Sequence, residues 1–251
     1  MDTGEVGLTQ GDFLRLKRLS TPTVYNGWEQ ISEVDRRTAV NRVDVRDFMP
    51  QFGAMAGRAV TLVVELSNRA HARAADAPPR YREYVASVPG PKILVVKDLD
   101  SPNIIGTYIG EVNTSLHRAL GCVGILTDGG IRDVNEMASL GFTALAARLC
   151  VGHAYAWPVR WNCEVEVFGC NVRPGQLIHA DQHGFLAVPA QDEAALLAAS
   201  QFMDSNECDT VIAAAQLSAG LSTEQVLDGM RESQRRFGEA AAAKFGRTGE
   251  W

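Results

Sequence analysis

The sequence has no two cysteines spaced as CxxC, and its five cysteines, at positions 122, 150, 163, 170 and 208, are odd in number. A disulfide framework or a zinc knuckle is therefore not expected, and reduced thiols in a cytoplasm are. Apolar runs such as Val60–Val64 fall far short of the ~20 residues of a membrane-spanning helix, so no membrane partner is expected. The opening residues carry Asp2, Glu5 and Asp12 and no apolar stretch, the opposite of a secretory leader. Basic residues are outnumbered: 24 Lys and Arg stand against 30 Asp and Glu, a net charge of −6. A general nucleic-acid surface is not expected, because phosphate neutralisation needs clustered cations. There is also no GxxxxGK[ST] loop, GxSxG elbow, GxGxxG fingerprint or HExxH helix, which removes the usual routes to nucleotide hydrolysis, serine hydrolase and zincin chemistry.

What is present suits a folded α/β protein. With 251 residues, 46% of them hydrophobic and 22% charged, the chain can build one large domain or two small ones. A polar arm over residues 1–20 ends in Phe13-Leu14-Arg15-Leu16. Ser20-Thr21-Pro22-Thr23 signals a helix start, with Trp28, Ile31 and Val34 near one stripe. Short β-branched runs at 60–64, 93–96 and 123–127 read as strands, the third ending at Asp128-Gly129-Gly130. Helices are expected over 108–120 and 132–140, the latter closed by Gly141, with a strand over 142–148. The proline-bearing stretch 71–91 reads as a loop with a helical turn near 81–85. An all-β stretch follows, with turns at Arg173–Gln176 and through Gly184, and then 60 helical residues in which Ser222-Thr223-Glu224-Gln225 fits a capping box. The expected layout is an N-terminal arm (1–20), an α/β domain (21–210) and a C-terminal helical extension (211–251).

The densest chemistry lies in Gly110-Glu111 and, further on, Asp128-Gly129-Gly130-Ile131-Arg132-Asp133. Arg132 and Asp133 follow a strand and open a helix, where an α/β sheet presents free amides. A carboxylate there can hold a hard divalent cation, and a neighbouring arginine can clamp a carboxylate or a developing enolate. The bland alternative is that Asp133 caps its helix and Arg132 pairs with a neighbour.

Glu111, twenty residues, then Arg132-Asp133 resembles the pattern of the class II pyruvate aldolases related to regulator of ribonuclease activity A. These relatives cleave 4-hydroxy-4-methyl-2-oxoglutarate and 4-carboxy-4-hydroxy-2-oxoadipate. Gly121-Cys122-Val123-Gly124, Asp128-Gly129, Gly141-Phe142, Val172–Gln176, Ala180-Asp181, Gly184 and Val188-Pro189 are similar to that family in the same order, as are Pro50–Gly53 and Gly57–Thr61 upstream. Glu111 stands where the aldolases usually have Asp, and the ribonuclease regulators usually have no carboxylate. Asn26-Gly27-Trp28, Asn113 and Thr143 depart from the family pattern.

The resemblance implies a swivelling β/β/α-type α/β domain with helical flanks, assembled as a homotrimer or a dimer of trimers with active sites between subunits. It implies Mg²⁺ or Mn²⁺ held directly by Asp133, with Glu111, and Glu207 from a second subunit, acting through water. It gives Arg132 the keto oxygen and the enolate, and the amides near Gly110, Val112 and Asn113 the substrate carboxylate. The activity implied is retro-aldol cleavage of a 4-hydroxy-2-keto acid to release pyruvate, with oxaloacetate decarboxylation alongside. The alternatives are a non-catalytic regulator that binds a ribonuclease, and a metal-assisted hydration or isomerisation.

Other residues invite a role. His179, Asp181 and His183 alternate as ligands on one strand face could. His117 lies six residues after Glu111, roughly opposite on a helix, and reads as a surface histidine. His71 sits in a polar loop that could close over a distal substrate group, and His153 sits in a loop after Gly152. Tyr155, Trp157 and Trp161 read as core or subunit-contact aromatics.

Overall fold

The computed structural model describes residues 7–246; Asp2 and Glu5 of the expected arm lie outside the described residues. Two compact units divide the chain. One holds the residues up to Thr21 together with Val34–Glu193, the other Pro22–Glu33 with the residues from Ala194 on.

Helix α1 (Gln10–Leu16) opens the first unit. The arm expected there is thus partly helical: Thr9 and Asp12 form a reciprocal capping box, and Phe13 and Leu16 are buried. Helix α2 (Thr21–Ile31) follows. The strands are β1 (Arg46–Asp47), β2 (Met55–Val64), β3 (Lys92–Asp98), β4 (Cys122–Ile131), β5 (Thr143–Leu149), β6 (Pro158–Trp161), β7 (Val165–Val167), β8 (Cys170–Val172), β9 (Leu177–Asp181) and β10 (Gly184–Val188). Eight of them make one sheet in the order β1-β5-β4-β3-β2-β9-β10, with β6 also on β2. Strands β2, β3, β4 and β5 run parallel. The crossovers between them, which parallel pairing requires, carry α3 (Ala77–Ser87), α4 (Glu111–Ala119) and α5 (Val134–Ser139). The α/β class expected from the sequence is the fold observed.

The parallel strands are apolar on both faces because both faces are covered. Val60, Leu62, Val64, Leu94, Val96 and Ile125 join Tyr81 and Val85 of α3 and Met137 of α5 in one core. Ala59, Val63, Ile93, Val95 and Leu126 face the β7–β8 ribbon and β9–β10 in the other.

Three expectations are corrected. The stretch 71–91 contains an eleven-residue helix, α3, rather than one turn. Its Pro78 and Pro79 lie in the first helical turn, where a missing N–H costs nothing. Strand β4 does not stop at Asp128: it continues to Ile131, pairing Gly130 with Arg148 and Ile131 with Leu149. Gly129 and Gly130 are strand residues at which a side chain would strike Asp98 Oδ2 and Cys150 Sγ. Finally, α4 starts at Glu111 rather than 108, because Ile109 is extended and bridges Ile131.

The second unit is helical: part of α2, then α6 (Glu193–Glu207), a π-helical turn over Cys208–Ile212, α7 (Ala213–Gln216) and α8 (Thr223–Phe245). Met203, Phe237 and Ala241 are buried together, and Asn206 Nδ2 donates to Phe237 O (3.0 Å). The expected capping box is present, with Ser222 Oγ accepting from Gln225 N and Gln225 Oε1 from Ser222 N. Among the described residues, no helix is long and apolar enough to cross a membrane.

Candidate active site

Ligands of open α/β sheets bind beyond the carboxyl ends of the strands, and Arg132 and Asp133 follow β4 there directly. Asp133 adopts a left-handed backbone (φ 57°, ψ 43°), a region in which Asp and Asn are enriched among residues with a side chain. The turn aims its carboxylate away from its own helix. Oδ2 accepts the Glu111 amide at 2.9 Å and lies 3.3 Å from Arg132 Nε. Asp133 therefore satisfies one of the free amides at the start of α4 and not those of α5, which begins at Val134 rather than Arg132. The parallel bridge Ile109–Ile131 brings these distant segments together, and Gly110 leaves the space: a Cβ there would lie 2.5 Å from Asp133 Oδ2.

Beside the pair is a cavity of about 190 Å³ lined by Gly110, Val112, Asn113, Arg132, Tyr108 and His153, among others. The residues expected to bind substrate thus share one cavity. Asn113 Nδ2 donates to Tyr108 O (2.6 Å), which fixes the first turn of α4. Arg132 N donates to Ile109 O (3.3 Å) and its Nη1 to Val151 O (3.5 Å), and Arg132 stays one-third exposed. The lining residues Tyr108 and Ala156 carried no signal in the sequence.

Among the described residues, no three His, Cys, Asp or Glu side chains form a ready metal cage. The donor set nevertheless fits a hard cation of the Mg²⁺ or Mn²⁺ type, which is bound by one or two carboxylates and keeps several waters. Asp133 Oδ1 and the exposed Glu111 carboxylate take no hydrogen bond among the described residues. Glu207 lies in the second unit, at the end of α6, where it accepts Asn26 Nδ2 (2.9 Å).

The remaining histidines separate clearly. His117 is buried, not a surface residue. The face opposite exposed Glu111 is the one that packs on the core. Its Nδ1 donates to Asn113 O (2.6 Å), and Tyr81 Oη donates to Nε2 (2.9 Å). Burial lowers its pKa to about 4. His179 is fully buried: Nε2 donates to Leu16 O, and Thr21 Oγ1 donates to Nδ1. Asp181 accepts the Thr21 amide (2.7 Å) and the His183 amide (2.9 Å), so its carboxylate is committed to backbone N–H groups. His71 Nε2 lies 2.5 Å from Glu65 Oε2, which holds the Glu65 carboxyl below its usual range. Trp161 packs against the core with Arg80 over its ring, while Tyr155 is exposed.

Asp98, at the end of β3, is 1% exposed; its Oδ1 accepts the Asp100 amide and its Oδ2 has no partner. Burial pushes its pKa up to about 6. Between pH 4 and 6, folded Asp98 holds a proton that the unfolded chain has released, so its contribution to stability falls as pH rises. Folded His117 lacks a proton that the unfolded chain binds between about pH 4 and 6.5, so its contribution falls as pH drops. The two slopes oppose each other. Asp98→Asn removes the first, and is expected to raise stability at pH 7 by about 2 kcal/mol and near pH 4 by little. Urea unfolding at both pH values measures this; an equal offset at both contradicts it.

Comparison with known proteins places the fold. A sequence-family model described as RraA-like (Aldolase/RraA) matches residues 21–187. A crystal structure described as one of novel cellulases from microbes associated with the gut ecosystem is similar (TM-score 0.68, 16% identity, 83% of this chain and 90% of that one). So is RraAS2 of Streptomyces coelicolor, described as an unusual member of the RNase ES inhibitor RraA protein family (TM-score 0.60, 21% identity, 81% and 96%). At these identities the likeness is one of fold. The Legionella pneumophila protein DlpA is 24% identical over 108 residues, 42% of this chain, but the match spans only 17% of DlpA's own length. Because the matching family model spans residues 21–187, well over half of its length, the chain belongs to the RraA-like family.

Proposed function

We propose that this chain is a divalent-metal-assisted carbon–carbon lyase that releases pyruvate from 4-hydroxy-2-keto acids and decarboxylates oxaloacetate as a side reaction. The observation that carries this reading is the Arg132–Asp133 pair, held 3.3 Å apart beside the first amides of α4. Cleaving a bond β to a keto group leaves negative charge on the keto oxygen, and a guanidinium fixed there stabilises it as it develops. The free amides near Val112 and Asn113 suit the substrate carboxylate. Asp133 and Glu111 would hold Mg²⁺ or Mn²⁺, which when bound adds Lewis-acid stabilisation of the same charge. Glu111 favours catalysis over a purely regulatory role. Assembly as a trimer or a pair of trimers, with Glu207 supplied by a neighbouring copy, belongs to the same proposal.

The test is a screen of 4-hydroxy-2-keto acids and oxaloacetate with Mg²⁺ or Mn²⁺, read by pyruvate release. Activity is expected to disappear with a chelator, and Arg132→Ala is expected to lower it about 100-fold or more. Binding of a ribonuclease without pyruvate release would support the regulator reading instead. Substrate loss without pyruvate would support hydration or isomerisation.

A further inference from the structure

The loop between β5 and β6 is fixed from several sides. Cys150 N donates to Ile131 O (2.9 Å), Arg132 Nη1 to Val151 O (3.5 Å), Thr107 N to Gly152 O (3.1 Å) and Tyr155 N to Leu66 O (3.1 Å). Trp157 Nε1 adds a bond to Ala74 O (3.0 Å). Within this loop Ala154 is held at φ +44°, a backbone state that costs energy for a residue with a Cβ and that clusters at functional sites. The same loop places His153 on the wall of the Arg132 cavity.

The ring of His153 has a defined tautomer. Nδ1 lies 2.9 Å from Ala154 O. A carbonyl can only accept, so Nδ1 carries the hydrogen, and in the neutral ring Nε2 keeps its lone pair. The other polar side chains that line the cavity do not compete as bases, and the carboxylates of Asp133 and Glu111 beside it are the ones assigned to the cation. Arg132 is a cation, and burial raises the Tyr108 phenol so that it stays neutral. The Thr107 hydroxyl faces Gly130 O (2.6 Å) and Ile109 O (2.8 Å).

We propose that His153 is the proton-transfer residue of the retro-aldol step, an inference that rests on the lyase reading above. Nε2 takes the proton of the substrate's 4-hydroxyl. The electron pair of that O–H bond becomes the new C4 carbonyl, and the C3–C4 bond breaks. Its electrons pass to C3 and the keto oxygen, forming the enolate that faces Arg132. The imidazolium then returns the same proton to C3, which becomes the pyruvate methyl group. Atoms and charge balance with no further reactant.

The experiment compares the metal-loaded wild-type protein with His153→Gln on a 4-hydroxy-2-keto acid and on oxaloacetate, which has no hydroxyl proton to remove. The retro-aldol kcat is expected to fall about 100-fold with little change in KM, and the ratio of retro-aldol to decarboxylation to fall at least about tenfold. Added imidazole restores part of the lost rate. A variant at full rate, or one in which both reactions fall equally and imidazole has no effect, overturns the role of His153 alone. A wild-type protein that releases pyruvate from neither substrate overturns the lyase reading, and this inference with it.

Discussion

Asp133→Asn is expected to lower the proposed pyruvate release about a thousandfold while the protein unfolds at nearly the same urea concentration as the parent chain. The size follows from several kcal/mol of transition-state charge stabilisation lost with the carboxylate, at about 1.4 kcal/mol per factor of ten. The unchanged stability follows from geometry. Asn tolerates the left-handed backbone that residue 133 adopts, and its side-chain oxygen can still accept the Glu111 amide now bonded at 2.9 Å. Asp133→Ala loses the same activity but is also less stable by about 1–2 kcal/mol, because an alanine is strained at positive φ and leaves the amide uncapped. Steady-state assays with urea unfolding of both variants measure the contrast. An asparagine variant with near-parental activity contradicts the assigned charge.

Gly110→Ala is the second large effect, and it removes no functional group. Residue 110 has an ordinary extended backbone (φ −153°), so alanine is not strained there. Its Cβ would, however, lie 2.5 Å from Asp133 Oδ2 and 2.9 Å from Arg132 Nε. Both side chains must move, and Asp133 leaves the Glu111 amide. A displacement on the order of 1 Å at a catalytic pair costs about 100-fold in rate, and losing the bond to the amide costs about 1 kcal/mol of stability. The assay is expected to show that loss with a modest drop in melting temperature. Parental activity would mean that the pair tolerates displacement and is not the centre of the chemistry.

What the sequence made legible follows the range of the interactions. The strand cores at 60–64, 93–96 and 123–127 declare themselves because buried parallel strands need apolar side chains on both faces. The capping box at Ser222 is local, and it is read correctly. The equivalent box at Thr9–Asp12 is just as local, but it lies in a stretch whose polar composition reads as an arm. Helix α3 is hard to read because its prolines look like breakers, yet they lie in the first turn, where proline is tolerated. Arg132 and Asp133 are chain neighbours, so their partnership was visible. The bond from Asp133 to the Glu111 amide spans 22 residues; its cause, the Ile109–Ile131 bridge, is a tertiary pairing that no local pattern encodes. The left-handed turn at Asp133 is not legible in the sequence for the same reason. His117 shows the reverse error. Helical spacing places it opposite Glu111, but that face meets the core and not water.

The most direct measurement is a crystal structure of the full chain soaked with Mn²⁺ and pyruvate, using the anomalous signal of the metal. The account predicts the ion on Asp133, with the pyruvate keto oxygen facing the Arg132 guanidinium and its carboxylate on the amides of Val112 and Asn113. Metal and pyruvate bound elsewhere, with this corner unchanged, would contradict it.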